Sequence, residues 1–160
     1  MLFRSTLLGY FSNEKVSLVA PVIVDEYGVV HSSGLGLTPE AHHIAQGRLP
    51  DDLGPVGMFA IARECFGVST ICAMARNRAL RKVGAMSPDY SGRMFDFDLA
   101  CKLQGDGQHA VVTPLIQVRY LGREISSTND ARTFEQRWGR IAGSDPFTRI
   151  ETRVLLSRTD

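Results

Sequence analysis

Asp96 and Asp98 stand at the head of the run Met94-Phe95-Asp96-Phe97-Asp98-Leu99-Ala100-Cys101-Lys102-Leu103-Gln104-Gly105-Asp106-Gly107. Phe95, Leu99 and Leu103 recur at helical spacing, so one stripe is expected to face a core, and Gly105 and Gly107 mark the stop. The pattern predicts a helix whose first turn carries both acids, where orphan backbone N–H groups and the helix dipole favour negative charge. Two chemistries are open to such a pair. The aspartates can cap the helix. Alternatively, a carboxylate held at a rigid helix start, and kept ionised by dipole and caps, can take a proton from a hydroxyl in an adjoining cleft.

Other residues offer less. His42-His43 lie near Asp51-Asp52 in the Gly-, Pro-, Asp- and His-rich stretch 34–55, the longest irregular segment, which is read as functional or mobile. Adjacent histidines lack the i, i+4 or Cys-x-x-Cys spacing of a metal site, so no metal ligand is assigned. His31 and His109 read as ordinary strand residues. Cys65, Cys72 and Cys101 are far apart and odd in number, which points to a reducing compartment without a disulfide framework. Cys72 and Cys101 sit in apolar patterns and are expected in the core. The chain contains no Gly-x-Gly-x-x-Gly, Walker or Gly-x-Ser-x-Gly pattern, so nucleotide loops and a serine-hydrolase elbow find no support.

The elements that must position these residues follow from period and punctuation. Leu7, Leu8 and Phe11 share one side of an amphipathic helix near the start. Val16 to Val24, broken by Pro21, reads as a strand and its exit, and Asp25-Glu26-Tyr27-Gly28 turns into Val29-Val30. A helix is expected over Val56 to Phe66. The run Val68-Ser69-Thr70-Ile71-Cys72-Ala73-Met74-Ala75-Arg76 has a buried-strand pattern, and Asn77 to Val83 a short helix capped by Gly84. Strands follow at His109 to Pro114 and Gln117 to Tyr120. Asp130 to Ala142 reads as an amphipathic helix burying Phe134, Trp138 and Ile141. Strands alternating with helices predict an α/β class with a mixed sheet flanked by helices.

With 160 residues the chain has the length of one domain, here 1–147 followed by a polar tail at 148–160. A net charge of +1 argues against a nucleic-acid partner. No apolar run approaches the ~18 residues of a membrane span, and the N-terminal stretch lacks the basic start and small-residue cleavage site of a secretion signal.

The order of these motifs resembles the second half of a family-2 glycosyltransferase with the GT-A fold. The strand Val68 to Arg76, the helix closed by Gly84, the acidic pair opening a leucine-rich helix and the strand reaching Thr113-Pro114 match the family in sequence. So do Tyr27-Gly28-Val29-Val30-His31-Ser32-Ser33-Gly34 and Phe134…Trp138…Asp145-Pro146-Phe147. The resemblance runs from about Val16 to Phe147. It implies inverting transfer from a nucleotide-sugar donor to a growing glycan acceptor, of the cell-surface polysaccharide type, in the cytoplasm at the inner face of the membrane. Asp96 would be the general base and Asp98 its structural support. Thr70, His42 and Trp138 would meet the acceptor, Trp138 by stacking on a sugar ring or else by filling the core.

A divalent cation, Mn or Mg, is implied for the complete enzyme, with ligands outside this chain. The family's nucleotide-binding first half and its aspartate-x-aspartate site have no counterpart, so the chain is expected to start in mid-fold and to self-associate or take a partner chain. Three positions depart from the family. Phe95 stands where Glu or Asn is common, Gly84-Ala85-Met86 replaces glycine-glycine-phenylalanine, and Arg119-Tyr120-Leu121-Gly122-Arg123 occupies the place of a histidine that can bind metal. Arg119 or Arg123 could there meet the donor diphosphate directly. The alternative is a non-catalytic remnant or binding module of the same fold that associates with another chain.

Overall fold

The computed structural model describes residues 2–38, 40–123, 127–141 and 145–147. The polar tail expected at 148–160 lies outside them. In chain order the elements are α1 (Leu2–Gly9), β1 (Val16–Val24), β2 (Val30–Ser32), β3 (Leu35–Gly36), β4 (His42–His43), β5 (Arg63–Cys65), β6 (Met74–Ala75), α2 (Asn77–Lys82), α3 (Met94–Gly105), β7 (His109–Arg119) and α4 (Thr128–Trp138). The main sheet runs β2-β1-β7-β5, with β6 also on β1, and β3 and β4 form a separate antiparallel pair. β1 and β7 are parallel, whereas β2, β5 and β6 pair antiparallel. The class is therefore α/β with a mixed, curled sheet flanked by helices.

β1 is buried along its whole length because it has helices on both faces. Leu18, Ala20, Val22 and Val24 meet Leu99 and Leu103 of α3, while Val16 and Val19 meet Leu7 of α1. Pro21 does not break this strand. It breaks the register instead: Pro21 pairs with Thr113 and Val22 with Gln117, so that Pro114 to Ile116 are bypassed. A proline without an N–H is accommodated at such an irregularity. β7 is accordingly one strand rather than two.

α3 lies between two cores, which corrects the single apolar stripe expected of it. Leu99 and Leu103 face the sheet, while Met94, Phe97, Ala100 and Cys101 face Leu35, Leu37, Phe66 and Phe134. Each large side chain so buried stabilises by roughly 1.5–3 kcal/mol. Gly67 permits the close approach, since a Cβ there would stand 2.5 Å from Cβ of Ala100. Gly67→Ala must displace the helix backbone and is expected to cost about 1–3 kcal/mol, visible as a lowered urea midpoint. An unchanged midpoint would show that the contact is loose.

Several local expectations are corrected. Val56–Phe66 is not a helix: Gly54, Val56 and Gly57 have positive φ, which stops propagation, and only a 3-10 turn (Pro55–Gly57) and β5 form. The strand expected over Val68–Arg76 shrinks to β6, because Thr70–Cys72 winds into a 3-10 turn capped by the Ser69 hydroxyl. Leu8 is 57% exposed although Leu7 is buried. Cys72 is half-buried; Cys65 and Cys101 are the core thiols, and burial pushes both up to about 12.

Candidate active site at the head of a buried helix

Helical geometry separates the two aspartates. Positions i and i+2 lie about 200° apart around an α-helix, so Asp96 and Asp98 project to opposite sides. Neither caps α3, whose N-cap is Arg93 with no side-chain capping bond.

Asp98 is fully buried and bound on three sides. Its carboxylate accepts from Trp138 Nε1 at 2.8 Å and Arg137 Nη1 at 3.2 Å, and pairs with Lys102 Nζ at 2.7 Å. Burial works against the charge, but the Lys102, Trp138 and Arg137 bonds outweigh it and hold the carboxyl below its ordinary value. Arg137 continues the network to Asp89. Asp98 thus ties α3 to α4.

Asp96, 5% exposed, faces the other way. Its Oδ1 accepts the Thr70 hydroxyl at 2.5 Å, and both oxygens lie 3.2 Å from the Thr70 N–H. The 3-10 turn that displaced the expected strand makes this possible, since it frees the Thr70 amide from any ladder. Burial pushes the Asp96 carboxyl above its ordinary value, and the Thr70 and Ser69 bonds and the nearby His43 only partly offset it. Desolvation therefore works against the dipole that was expected to favour the ionised form of Asp96. The carboxylate opens on a cavity of about 180 Å³ whose walls include Ile71, Arg93, Phe95, Tyr120 and Arg123. Asp130, missed in the sequence, fixes one wall by accepting from the N–H groups of Ser91 and Gly92 at 3.0 and 2.6 Å.

The remaining sequence candidates divide. His42 points away, with Nδ1 2.9 Å from the Glu40 carbonyl. Its neighbour His43 turns inward, as alternation along a strand requires, and lies edge-on to Phe97 at 6.0 Å. His31 stands between His43 and Tyr120, at 5.3 and 5.4 Å. His43 is the histidine near Asp96 and Tyr120 shares its cavity, with His31 packed between those two rings. Trp138 packs in the core beside Asp98 and not in the Asp96 cavity. Arg123 lines that cavity, whereas Arg119, exposed on β7, does not.

No family model, no curated protein and no solved structure matches this chain. Its chemistry has to be argued from the site itself. Among the described residues no group of three His, Cys, Asp or Glu side chains could hold a metal ion. The divalent cation implied by the sequence resemblance was expected to take its ligands from outside this chain. The two carboxyls lie on opposite sides of α3, and their surroundings shift their proton affinities in opposite directions. Asp98 is held in its anionic form by Lys102, Trp138 and Arg137. Asp96 is poised to take a proton.

Proposed function

We propose that this chain provides the acceptor side and general base of an inverting sugar transfer from a nucleotide-sugar to a glycan hydroxyl. The observation that carries the reading is Asp96: a desolvated carboxyl with raised proton affinity, opening on a cavity with aromatic walls. In the reaction the acceptor hydroxyl attacks the anomeric carbon while the bond to the nucleotide diphosphate breaks. The hydroxyl proton passes to Asp96, and the bonding electrons leave with the diphosphate on the opposite face of the sugar. A carboxyl whose proton affinity exceeds that of free aspartate is the better acceptor at neutral pH. Thr70 orients it: with its hydroxyl spent on Asp96, this residue positions the base rather than the acceptor.

A chain acting on a membrane-bound glycan would work at the cytoplasmic face of the bilayer. Among the described residues no helix is long and apolar enough to cross a membrane. The test is acceptor-dependent release of nucleoside diphosphate from UDP-, GDP- and dTDP-hexoses in the presence of Mn²⁺ and a panel of glycosides. Proton NMR should show an inverted anomeric configuration in the product. Retained configuration, or release indifferent to acceptor, would overturn the reading.

The second reading, a binding module that joins another chain, is favoured by one separate feature. A groove of about 330 Å³ beside β6 is lined by Leu18, Ala73, Ala75, Leu80, Met86 and Leu99. Among the described residues β6 pairs with β1 alone. If this groove holds a partner chain, Met86→Lys is expected to shift the sedimentation of the chain toward the monomer, and identical sedimentation would exclude that use of it.

A further inference from the structure

Resting on the reading of Asp96 as base, we propose that the acceptor is an acidic sugar, its carboxylate or phosphate held between Arg93 and Arg123 beside the attacking hydroxyl. Arg93 is the first observation. It occupies the N-cap of α3, where Ser, Thr, Asp or Asn is preferred and where the positive end of the helix dipole disfavours a cation. A sequence that breaks a local rule in this way commonly does so at a functional site.

The second observation is the lack of a partner. Four arginines are half-buried among the described residues: Arg48, Arg63, Arg76 and Arg93. Arg48 pairs with Asp52, Arg63 donates to the Ser33 carbonyl, and Arg76 donates to the carbonyls of Phe11 and Val16. Arg93 also borders a second cavity, which holds Glu40 and Glu135, yet it pairs with neither. Among the described residues neither Arg93 nor Arg123 has a carboxylate partner, although both line the Asp96 cavity. Two arginines without carboxylate partners border one small space, and the planar fork of a guanidinium suits carboxylate or phosphate. Asp96 lines the same space but pairs with neither guanidinium; its carboxylate accepts from Thr70 instead.

The third consideration separates acceptor from leaving group. Inversion places the base and the departing diphosphate on opposite faces of the anomeric carbon. A space of about 180 Å³ is smaller than the roughly 300 Å³ at which ordinary ligand pockets begin, which favours a single sugar beside the base over a sugar together with a diphosphate. An anion in the same cavity as the base therefore belongs to the acceptor. Phe95 and Tyr120 offer apolar faces for its ring. This replaces the diphosphate role suggested for Arg123.

The test is titration of the whole chain with glucose, glucuronate and glucose 6-phosphate, followed by amide NMR shifts of Arg93 and Arg123. At least one acid is expected to bind about tenfold or more tighter than glucose, and the tighter of the two tells carboxylate from phosphate. The Arg93→Gln, Arg123→Gln double variant should lose that advantage while keeping the weak glucose isotherm, and Arg93→Lys should restore part of it. If glucose binds as tightly as both acids, or if the advantage survives in the double variant, this inference fails and the proposed function stands. If none of the three sugars perturbs the site, the sugar-transfer reading falls and takes the inference with it.

Discussion

Asp96→Asn is expected to cut sugar transfer by about 10²- to 10⁴-fold, the range for loss of a positioned general base, while leaving the protein at least as stable at neutral pH. The two halves of this outcome share one cause. Burial raises the proton affinity of Asp96 in the folded chain above its unfolded value, so the ionised form is a cost of folding at neutral pH. That cost disappears as the pH falls through the raised folded value. Asparagine keeps the shape and an acceptor oxygen for the Thr70 N–H, but it carries no charge and cannot take the proton. Thermal melts should therefore show the variant equal to or above the parent at pH 7, with any difference shrinking by pH 4. A variant that melts several degrees below the parent at pH 7 would make Asp96 a structural residue. Undiminished transfer would remove it from the chemistry.

Asp98→Ala should behave in the opposite way. Lys102, Arg137 and the Trp138 indole all converge on a carboxylate with no solvent exposure. Removing it leaves Lys102 and the Trp138 indole without their carboxylate and Arg137 with Asp89 and Ser87 alone. Breaking a buried pair from one side costs about 3–5 kcal/mol, which for a chain of this size is on the order of 10 °C in melting temperature. The pH dependence also has the other sign. The folded carboxyl lies below its ordinary value of 3.8, so its contribution is fully present above that value and is lost as the pH falls through the lower folded one. The gap between parent and variant should be wide at pH 7 and should narrow as the pH falls below the ordinary carboxylate value. A variant within about 1 kcal/mol of the parent at pH 7 would mean that the network is held elsewhere, for example through Arg137 and Asp89.

Much of the framework was legible because short-range physics determines it. Val16 to Val24 is a run of buried-strand residues and forms the strand expected there, although it continues through Pro21. The helix from Met94 ends at Gly105, with Gly107 in the left-handed region, where glycines had marked the stop. The short helix at Asn77 is closed by Gly84 in the same way. Where the local signal misled, a tertiary contact had prevailed. The strand expected through Thr70 became a turn whose amide is satisfied by Asp96 across 26 positions of sequence. A helix expected around Val56 met glycines whose positive φ it could not use.

The sequence by itself determined the α/β class, the central strands and the placing of Asp96 in the first turn of a helix, with Asp98 beyond that turn, because propensity, period and glycine punctuation act over a few residues. Only the tertiary structure decided which carboxylate is sealed among Lys102, Arg137 and Trp138 and which opens on a cavity. It also decided that His43 rather than His42 turns inward, and that Arg93 and Arg123 line one space. The physical reason is that the charge state and use of a side chain depend on desolvation and on partners brought from distant segments, and these exist only once α3 is packed between two cores.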